Sequence, residues 1–388
     1  MATGDGRDVA VVLSGGGING VLLELGFLKC LRESAAWCRV GWIYGTSAGA
    51  LSGAMAALDR LAELEEFLLA LRSEEVFRPR RLWQFPLGGL HDYTLPQTIA
   101  KRLGGETELG LALAAAPVEL VVFATDVSEP IDGDSSRDFE LVYASRETPP
   151  ATMGAALLAS AAISAIVLPI RIDDVIATDG GWVRNFPLEH AYRNPAVRAI
   201  AAFRYLSSYP PADTRFLERL RERLERFRAV PPVRALLEEI RVAEERANRG
   251  EPAHYPELIV RLMRVAINRN TALEERSADA RDASIATLEQ LRNEVVYASV
   301  AAAPWWRRAR LRHELDARFA AAAASVGRDR RIPRITVRAA AGDDALEPTF
   351  RGEPPWSAEK KRALIERGYR LAHDELSRHP LFPEQDEE

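Results

Sequence analysis

The sequence of 388 residues predicts a three-layer α/β/α fold, with a mainly parallel central sheet and a helical insertion or cap. Three observations carry this expectation. Compact apolar runs at 9–13, 40–44, 118–125 and 197–203 are rich in Val, Ile and Ala, as strands buried on both faces are. Helical spacing fills the intervals between the first of them, and a strand–helix–strand order gives parallel pairing with helices on both faces. From about Asp213 to Gln290 the texture changes to charged helices rich in Arg, Glu and Leu, broken at Pro231-Pro232 and between Gly250 and Pro256.

In chain order, residues 9–13 form a buried strand and Gly15-Gly16-Gly17-Ile18-Asn19-Gly20 a loop. Residues 21–32 have helical spacing, with Leu22, Leu25 and Leu28 on the apolar face. Residues 40–44 form the second strand, and 50–71 read as one helix whose small first residues let it lie close to the sheet. A looser region at 78–94 holds Pro79, Pro86, Gly88 and Gly89; 118–125 is a buried strand and 139–144 an alternating edge strand. The 23 uncharged residues from Thr148 to Ile170 have the length of a membrane span. Interruption by Pro149, Pro150 and Pro169 and an Ala/Ser-rich content favour a buried helix (about 151–162) feeding a buried strand (about 166–172). The chain then runs to a turn at Asp179, with further strands at 197–203, 293–300 and 332–337. An amphipathic helix at 357–376 has Ser357 in the N-cap position. The expected organisation is a catalytic core at 8–204, a mainly helical insertion at 205–330, a strand and helix at 331–376 completing the core, and an acidic tail at 377–388.

A hydrophobic content of 47% with 28% charge is that of a globular protein. The net charge of -5 hides an asymmetry: residues 1–200 carry 17 basic and 25 acidic groups, residues 201–388 carry 34 and 31. The second half is therefore the side better suited to an anionic partner. Cys30 and Cys38 suggest neither a disulfide framework nor a zinc site, which fits a reducing compartment. The first residues lack an apolar core of signal-peptide length, so a cytoplasmic protein, peripheral at a membrane surface, is expected. No metal and no cofactor is called for.

The pentapeptide Gly45-Thr46-Ser47-Ala48-Gly49 follows a strand and opens a helix, the setting of a nucleophile elbow. Ester hydrolysis needs a nucleophile, an acceptor for its proton and donors aimed at the developing oxyanion. Ser47 fits the first role, and the backbone N–H groups of Gly15, Gly16 and Gly17 fit the last, with Gly20 continuing the loop. Gly15, Gly17 and Gly20 also satisfy the dinucleotide pattern G-x-G-x-x-G, but no acidic residue ends a second strand about 20 residues on. None of the six histidines (His91, His190, His254, His313, His373 and His379) sits in a recognisable catalytic loop. Asp179 does: it ends a strand and precedes Gly180 and Gly181, which permit a sharp turn. A Ser47–Asp179 dyad is therefore expected in place of a triad.

These motifs resemble the patatin-like phospholipases, whose pattern joins a G-G-G-x-x-G loop, G-x-S-x-G and a D-G-G turn. Asp179-Gly180-Gly181-Trp182-Val183-Arg184-Asn185-Phe186-Pro187 is similar to the longer form D-G-G-x-x-x-N-x-P. Ala159-Ser160-Ala161-Ala162 with Pro169, the strand end Ala124-Thr125-Asp126, and the closing segment Leu364 to Tyr369 also resemble the family. The likeness spans 8–204 well and 330–376 loosely. It implies a patatin-like fold and a lipid acyl hydrolase of phospholipase A or lysophospholipase type, with Ser47 acylated and Asp179 as base. An acyltransferase, or a lipase switched on by a partner or small signal, would use the same site. The family often carries Arg or Lys where this chain has Asn19, so the loop offers less to a phosphate headgroup, which favours neutral or single-chain lipids.

A phospholipid or lysolipid substrate at a membrane surface requires docking. Trp305, Trp306, Arg307, Arg308 and Arg310 join aromatics to cations, a combination suited to anionic lipid. Residues 259–270, with Arg261, Arg264 and Arg269, are a second candidate. No nucleic-acid partner is expected, since no recognisable nucleic-acid-binding motif accompanies the arginines.

Overall fold

A computed structural model describes residues 6–72, 75–79, 91–98, 104–129, 139–163, 167–206, 215–252, 255–328, 330–340, 346 and 356–379. The looser region at 80–90 and the end of the acidic tail at 380–388 lie outside the described residues. The strands are β1 (Val9–Leu13), β2 (Val40–Thr46), β3 (Phe77–Pro79), β4 (His91–Tyr93), β5 (Glu119–Asp126), β6 (Glu140–Ala144), β7 (Ile170–Ile172), β8 (Val175–Asp179), β9 (Ala199–Leu206) and β10 (Arg334–Ala340). The helices are α1 (Gly17–Glu33), α2 (Ala48–Ala57), α3 (Leu61–Ala70), α4 (Glu106–Ala115), α5 (Pro150–Ser160), α6 (Gly181–Arg184), α7 (Leu188–Arg193), α8 (Arg215–Glu225), α9 (Pro231–Asn248), α10 (Tyr255–Ala302), α11 (Arg308–Ser325) and α12 (Ala358–Leu376).

The main sheet has the order β10-β9-β1-β2-β5-β8-β7, with β6 also on β5. Strands β10, β9, β1, β2 and β5 are mutually parallel, as the strand–helix–strand order predicts. Side chains alternate between two cores because successive residues of a strand face opposite ways. Val9, Val11 and Leu13 pack with α1, α2, α3 and α12 on one face, whereas Ala10 and Val12 join Leu188, Ala191 and Ala278 of α7 and α10 on the other.

Strands β6, β7 and β8 are antiparallel to their neighbours, which the sequence did not reveal. Their pairing with β5 has a geometric consequence. Residues 121–123 of β5 pair with both β2 and β6, so those two strands hold opposite edges. Ala124 and Thr125 pair with both β6 and β8, so β8 also lies opposite β6. Thus β2 and β8 share one edge of β5 and run toward each other. The first ends at Thr46 opposite Phe123 and the second at Asp179 opposite Ala124. Asp179 therefore arrives head-on at the end of β2, on a strand that runs against the parallel ones.

Other corrections have local causes. The helix expected over 50–71 is two, because Asp59 adopts a left-handed conformation (φ 61) and ends α2. Arg60 N–H donates to Met55 O at 2.8 Å and Asp59 N–H to Ala56 O at 3.1 Å, the paired bonds of a Schellman ending without its usual glycine. The segment before Asp179 is a hairpin, β7–β8, turning at Asp173 (φ 50). Residues 293–300 are helical, not a strand: they belong to α10, a 48-residue helix about 72 Å long whose propagation overrides the β propensity of Val295, Val296 and Tyr297. Ser357 occupies the N-cap position of α12 but makes no side-chain cap bond. The uncharged segment holds helix α5 and strand β7, with 164–166 outside the described residues. Among the described residues no helix is long and apolar enough to cross a membrane.

α12 crosses α1 at two facing glycines. A Cβ on Gly26 would lie 2.0 Å from Ile365 O, and one on Gly368 would lie 2.0 Å from Leu23 O. Beside this crossing Lys361, 1% exposed, donates to Leu69 O at 3.2 Å and also to Leu71 O, satisfying the carbonyls at the end of α3. Gly368→Ala should force the helices apart and cost about 1–3 kcal/mol in chemical denaturation. An unchanged midpoint would contradict so close a crossing.

Candidate active site

The end of β2 feeds directly into α2, and Ser47 between them has φ 54 and ψ -119. Such a backbone is strained for a residue with a Cβ and persists only where the surroundings enforce it. Close packing does so here. A Cβ on Gly45 would meet Gly49 O at 2.4 Å, and one on Gly49 would meet Leu13 O at 2.6 Å. Both glycines of the pentapeptide are thus required by the approach of α2 to β1 and β2. The Ser47 amide donates to Ser160 Oγ at 2.9 Å, and Ser160 donates in turn to Phe123 O at 2.6 Å. Ser160, from the Ala/Ser helix, therefore braces the turn from below.

Asp179 stands opposite, at the end of β8, with the Ser47 side chain close enough to lower its carboxyl pKa. It also accepts Gly181 N–H at 2.7 Å, while the Asp179 backbone is fixed by Ala162 O and Thr125 Oγ1. A Cβ on Gly180 would lie 2.3 Å from Phe123 O and 2.9 Å from Thr46 Cγ2, so the turn passes hard against the end of β2. Ser47 and Asp179 are 6% and 3% exposed. Burial pushes the Asp179 carboxyl up to about 6, more than the nearby Ser47 side chain and the Gly181 N–H lower it. Among the described residues no histidine lines this site. His190 instead contacts Glu140 at 3.0 Å and packs on Phe123. Burial raises the Glu140 carboxyl, but His190 and Arg184 outweigh it and bring it to about 2.

The glycine loop closes the third side. Gly15 N–H donates to Asn185 O at 3.0 Å, so of the expected trio of donors it is already engaged, which leaves Gly16 and Gly17. These two amides precede the first intrahelical bond of α1, from Gly20 N–H to Gly16 O at 2.9 Å, and face outward as first-turn amides do. Gly17 (φ 58) adopts a conformation that favours glycine. Gly20 packs against Ala48. Ser47 is the N-cap of α2, and α1 begins two residues after Gly15, where an added Cβ would lie 3.1 Å from Ser47 Cβ, so two helix N-termini add positive potential near Ser47. Asn19 is engaged by the fold, since its carboxamide accepts Leu346 N–H at 2.7 Å and donates to Leu346 O at 2.8 Å.

From Ser47 a cavity of about 400 Å³ runs between α2, α3, α4 and α5, lined by Leu51, Leu64, Phe67, Leu68, Leu109 and Leu157 among others. Among the described residues the lining is apolar apart from Ser47, Glu63 and Glu66, which suits a hydrocarbon chain and offers little to a sugar or nucleotide.

The model of the family described as Patatin-like phospholipase matches residues 11–192. The chain carries a patatin-like phospholipase domain. The crystal structure of VipD from Legionella pneumophila is similar at 11% identity with a TM-score of 0.37, covering 96% of this chain and 68% of that chain. No curated protein matches. The patatin-like domain brings together Ser47, Asp179 and the Gly15–Gly17 loop, and it leaves the tryptophan–arginine segment elsewhere. Trp305 and Trp306 are 81% and 66% exposed, in the connection between α10 and α11. Arg307 stacks on Trp306, Arg308 donates to Ala303 O, and Arg310 pairs with Glu314.

Several residues of the site carried no sequence signal. Thr46 donates to Arg184 O at 2.7 Å, and Tyr93, whose phenol is raised by burial and by the charge of Asp179, donates to Leu158 O at 3.1 Å. Glu24, wholly buried in α1, accepts Ser52 Oγ–H at 2.8 Å, and burial raises its carboxyl well above the ordinary range. The elevated Asp179 carboxyl has a thermodynamic signature. Its folded value of about 6 exceeds the ordinary 3.8, so its contribution to stability is full below about 3.8 and lost as pH rises through about 6. As pH rises from about 3.5 to about 7, Asp179→Asn should therefore gain stability relative to the parent, on the order of 2–3 kcal/mol. Parallel stability curves for the two proteins over that range would overturn the assignment.

Proposed function

We propose that this chain is a lipid acyl hydrolase working through Ser47 and Asp179. The single observation that carries the reading is the head-on meeting of β2 and β8, which brings Ser47 and Asp179 together at the head of an apolar cavity. An acyl chain enters the cavity with its ester carbonyl over Ser47. The Ser47 oxygen attacks that carbon as its proton passes to Asp179, and the oxyanion is held by the Gly16 and Gly17 amides. Collapse expels the alcohol, which takes the proton from Asp179, and leaves the acyl-enzyme. Water then attacks, giving its proton to Asp179; the second intermediate returns that proton to Ser47 and releases the fatty acid. The cavity recognises the acyl chain, and Asn19, already paired with Leu346, adds no cation for a headgroup, so single-chain and neutral lipids suit the site.

Fatty-acid release from vesicles and from a soluble p-nitrophenyl ester tests this. Ser47→Ala and Asp179→Asn should each lose at least about a thousandfold in kcat. Substantial turnover by Asp179→Asn would refute the dyad. Because the base must be ionised, kcat/KM should rise with pH through about 6 and then level off. A profile flat from pH 4 to pH 8 would remove Asp179 from that role.

In this reading residues 205–330 form an insertion on the catalytic core, and the connection between α10 and α11 is its membrane-facing tip. Asp282, bonded to Tyr192 on the core, precedes Ala302 by 20 residues, about 30 Å of helix, so the tryptophans sit at the end of an arm. Replacing Trp305 and Trp306 by Ala should weaken binding to anionic vesicles at least about tenfold. Hydrolysis of the soluble ester should not change. Equal loss of both would show that the tryptophans serve the fold.

A further inference from the structure

The turn that follows Asp179 is gripped from two sides. On the inner side its carbonyls hold the site: Arg184 O accepts the Thr46 hydroxyl at 2.7 Å, and Asn185 O accepts Gly15 N–H at 3.0 Å. The residue before the nucleophile and the first residue of the glycine loop thus both hang on this turn. On the outer side the turn is bonded by closely spaced positions of α10, a helix beyond the 11–192 match. Asn270 Nδ2 donates to Trp182 O, Thr271 Oγ1 accepts Asn185 Nδ2–H at 2.7 Å, and Glu274 pairs with Arg184.

Thr271 does more than occupy space. Its hydroxyl has one proton, which goes to Ile267 O at 2.9 Å, so toward Asn185 it acts only as an acceptor. That fixes the Asn185 amide with its nitrogen to α10 and its oxygen toward the glycines. A Cβ on Gly15 would lie 2.3 Å from Asn185 Oδ1, and one on Gly181 would lie 3.0 Å from it. The amide oxygen is therefore wedged between the glycine loop and the Asp179 turn. Thr271 is 0% and Asn185 2% exposed, so neither has water to substitute for a missing partner.

We propose that Thr271 is a positioning residue for hydrolysis. Through Asn185 it sets the spacing between the Gly16–Gly17 donors and Asp179, which makes α10 part of the catalytic centre. This rests on the Ser47–Asp179 reading above. A helix that merely packs on the domain would predict a loss of stability on mutation and nothing else.

The test compares Thr271→Val, which keeps shape and removes the hydroxyl, with Thr271→Ser, which keeps the hydroxyl, on the soluble ester in the full chain. Thr271→Val should lower kcat about 10–100-fold with KM within about twofold, at a temperature where the protein is folded. Thr271→Ser should restore kcat to within about threefold of the parent, because the bond to Asn185 is remade. A Val variant with parental kcat overturns the proposal, as does a Ser variant as slow as Val. If Val does not fold, Thr271→Ala removes the same hydroxyl and is judged by the same outcomes. Hydrogen exchange of peptides covering 14–20 and 179–186 gives a second readout without turnover. Faster exchange of both in the Val variant supports the proposal, and unchanged exchange overturns it. Ser47→Ala separates the two ideas: if it stays active the hydrolase reading fails, whereas an inactive Ser47→Ala beside a fully active Thr271→Val removes only the positioning role.

Discussion

The site depends on two strands sharing one edge of β5. A strand edge has room for one partner at each position, so β8 takes up pairing at Ala124 only because β2 has stopped at Phe123. The residue leaving β2 is Ser47 and the residue ending β8 is Asp179. Sheet register, which is fixed wherever both faces are buried, thereby sets the separation of the two side chains without help from a flexible loop. The glycines at 45, 49 and 180 follow from this constraint, since each lies where backbones meet too closely for a Cβ.

Around that junction the apolar and polar demands are divided between the two faces of the sheet. On one face α2, α3, α4 and α5 enclose the hydrocarbon-lined cavity; on the other, α10 and Glu140 of β6 supply a charged and hydrogen-bonded bed for the turn after Asp179. Arg184 is held bidentately by Glu140 and also by Glu274, and Arg204 and Arg338 both reach Glu275, 9% exposed in its side chain. Such pairs add little net stability, but their directionality holds a turn in one arrangement better than apolar packing does.

Much of this was legible in the sequence, for identifiable reasons. The parallel strands announced themselves as continuous apolar runs, and the elbow and the D-G-G turn as glycines around a Ser and an Asp. What escaped were features that depend on partners distant in sequence. The reversed direction of β8 rests on a turn at Asp173 instead of Gly, and the end of α2 at Asp59 hides in the same way. The engagement of Gly15 by Asn185 is a contact across 170 positions that no local pattern encodes. Residues 293–300 misled because β-branched composition says little inside a helix that extends far on their N-terminal side.

The crossing of α12 on α1 bears on how the protein is made. Gly26 and Gly368 are neighbours in space yet lie 342 positions apart, so α1 emerges from the ribosome long before the helix that covers it. At about 5–20 residues per second, some 10–40 s separate synthesis of residue 192 from that of residue 376. Through that interval the apolar surface of Leu23, Phe27 and their neighbours waits for its cover. The nascent chain therefore passes through a stage in which every motif of the site has been made but α1 is still uncovered, a window in which a chaperone has something to hold.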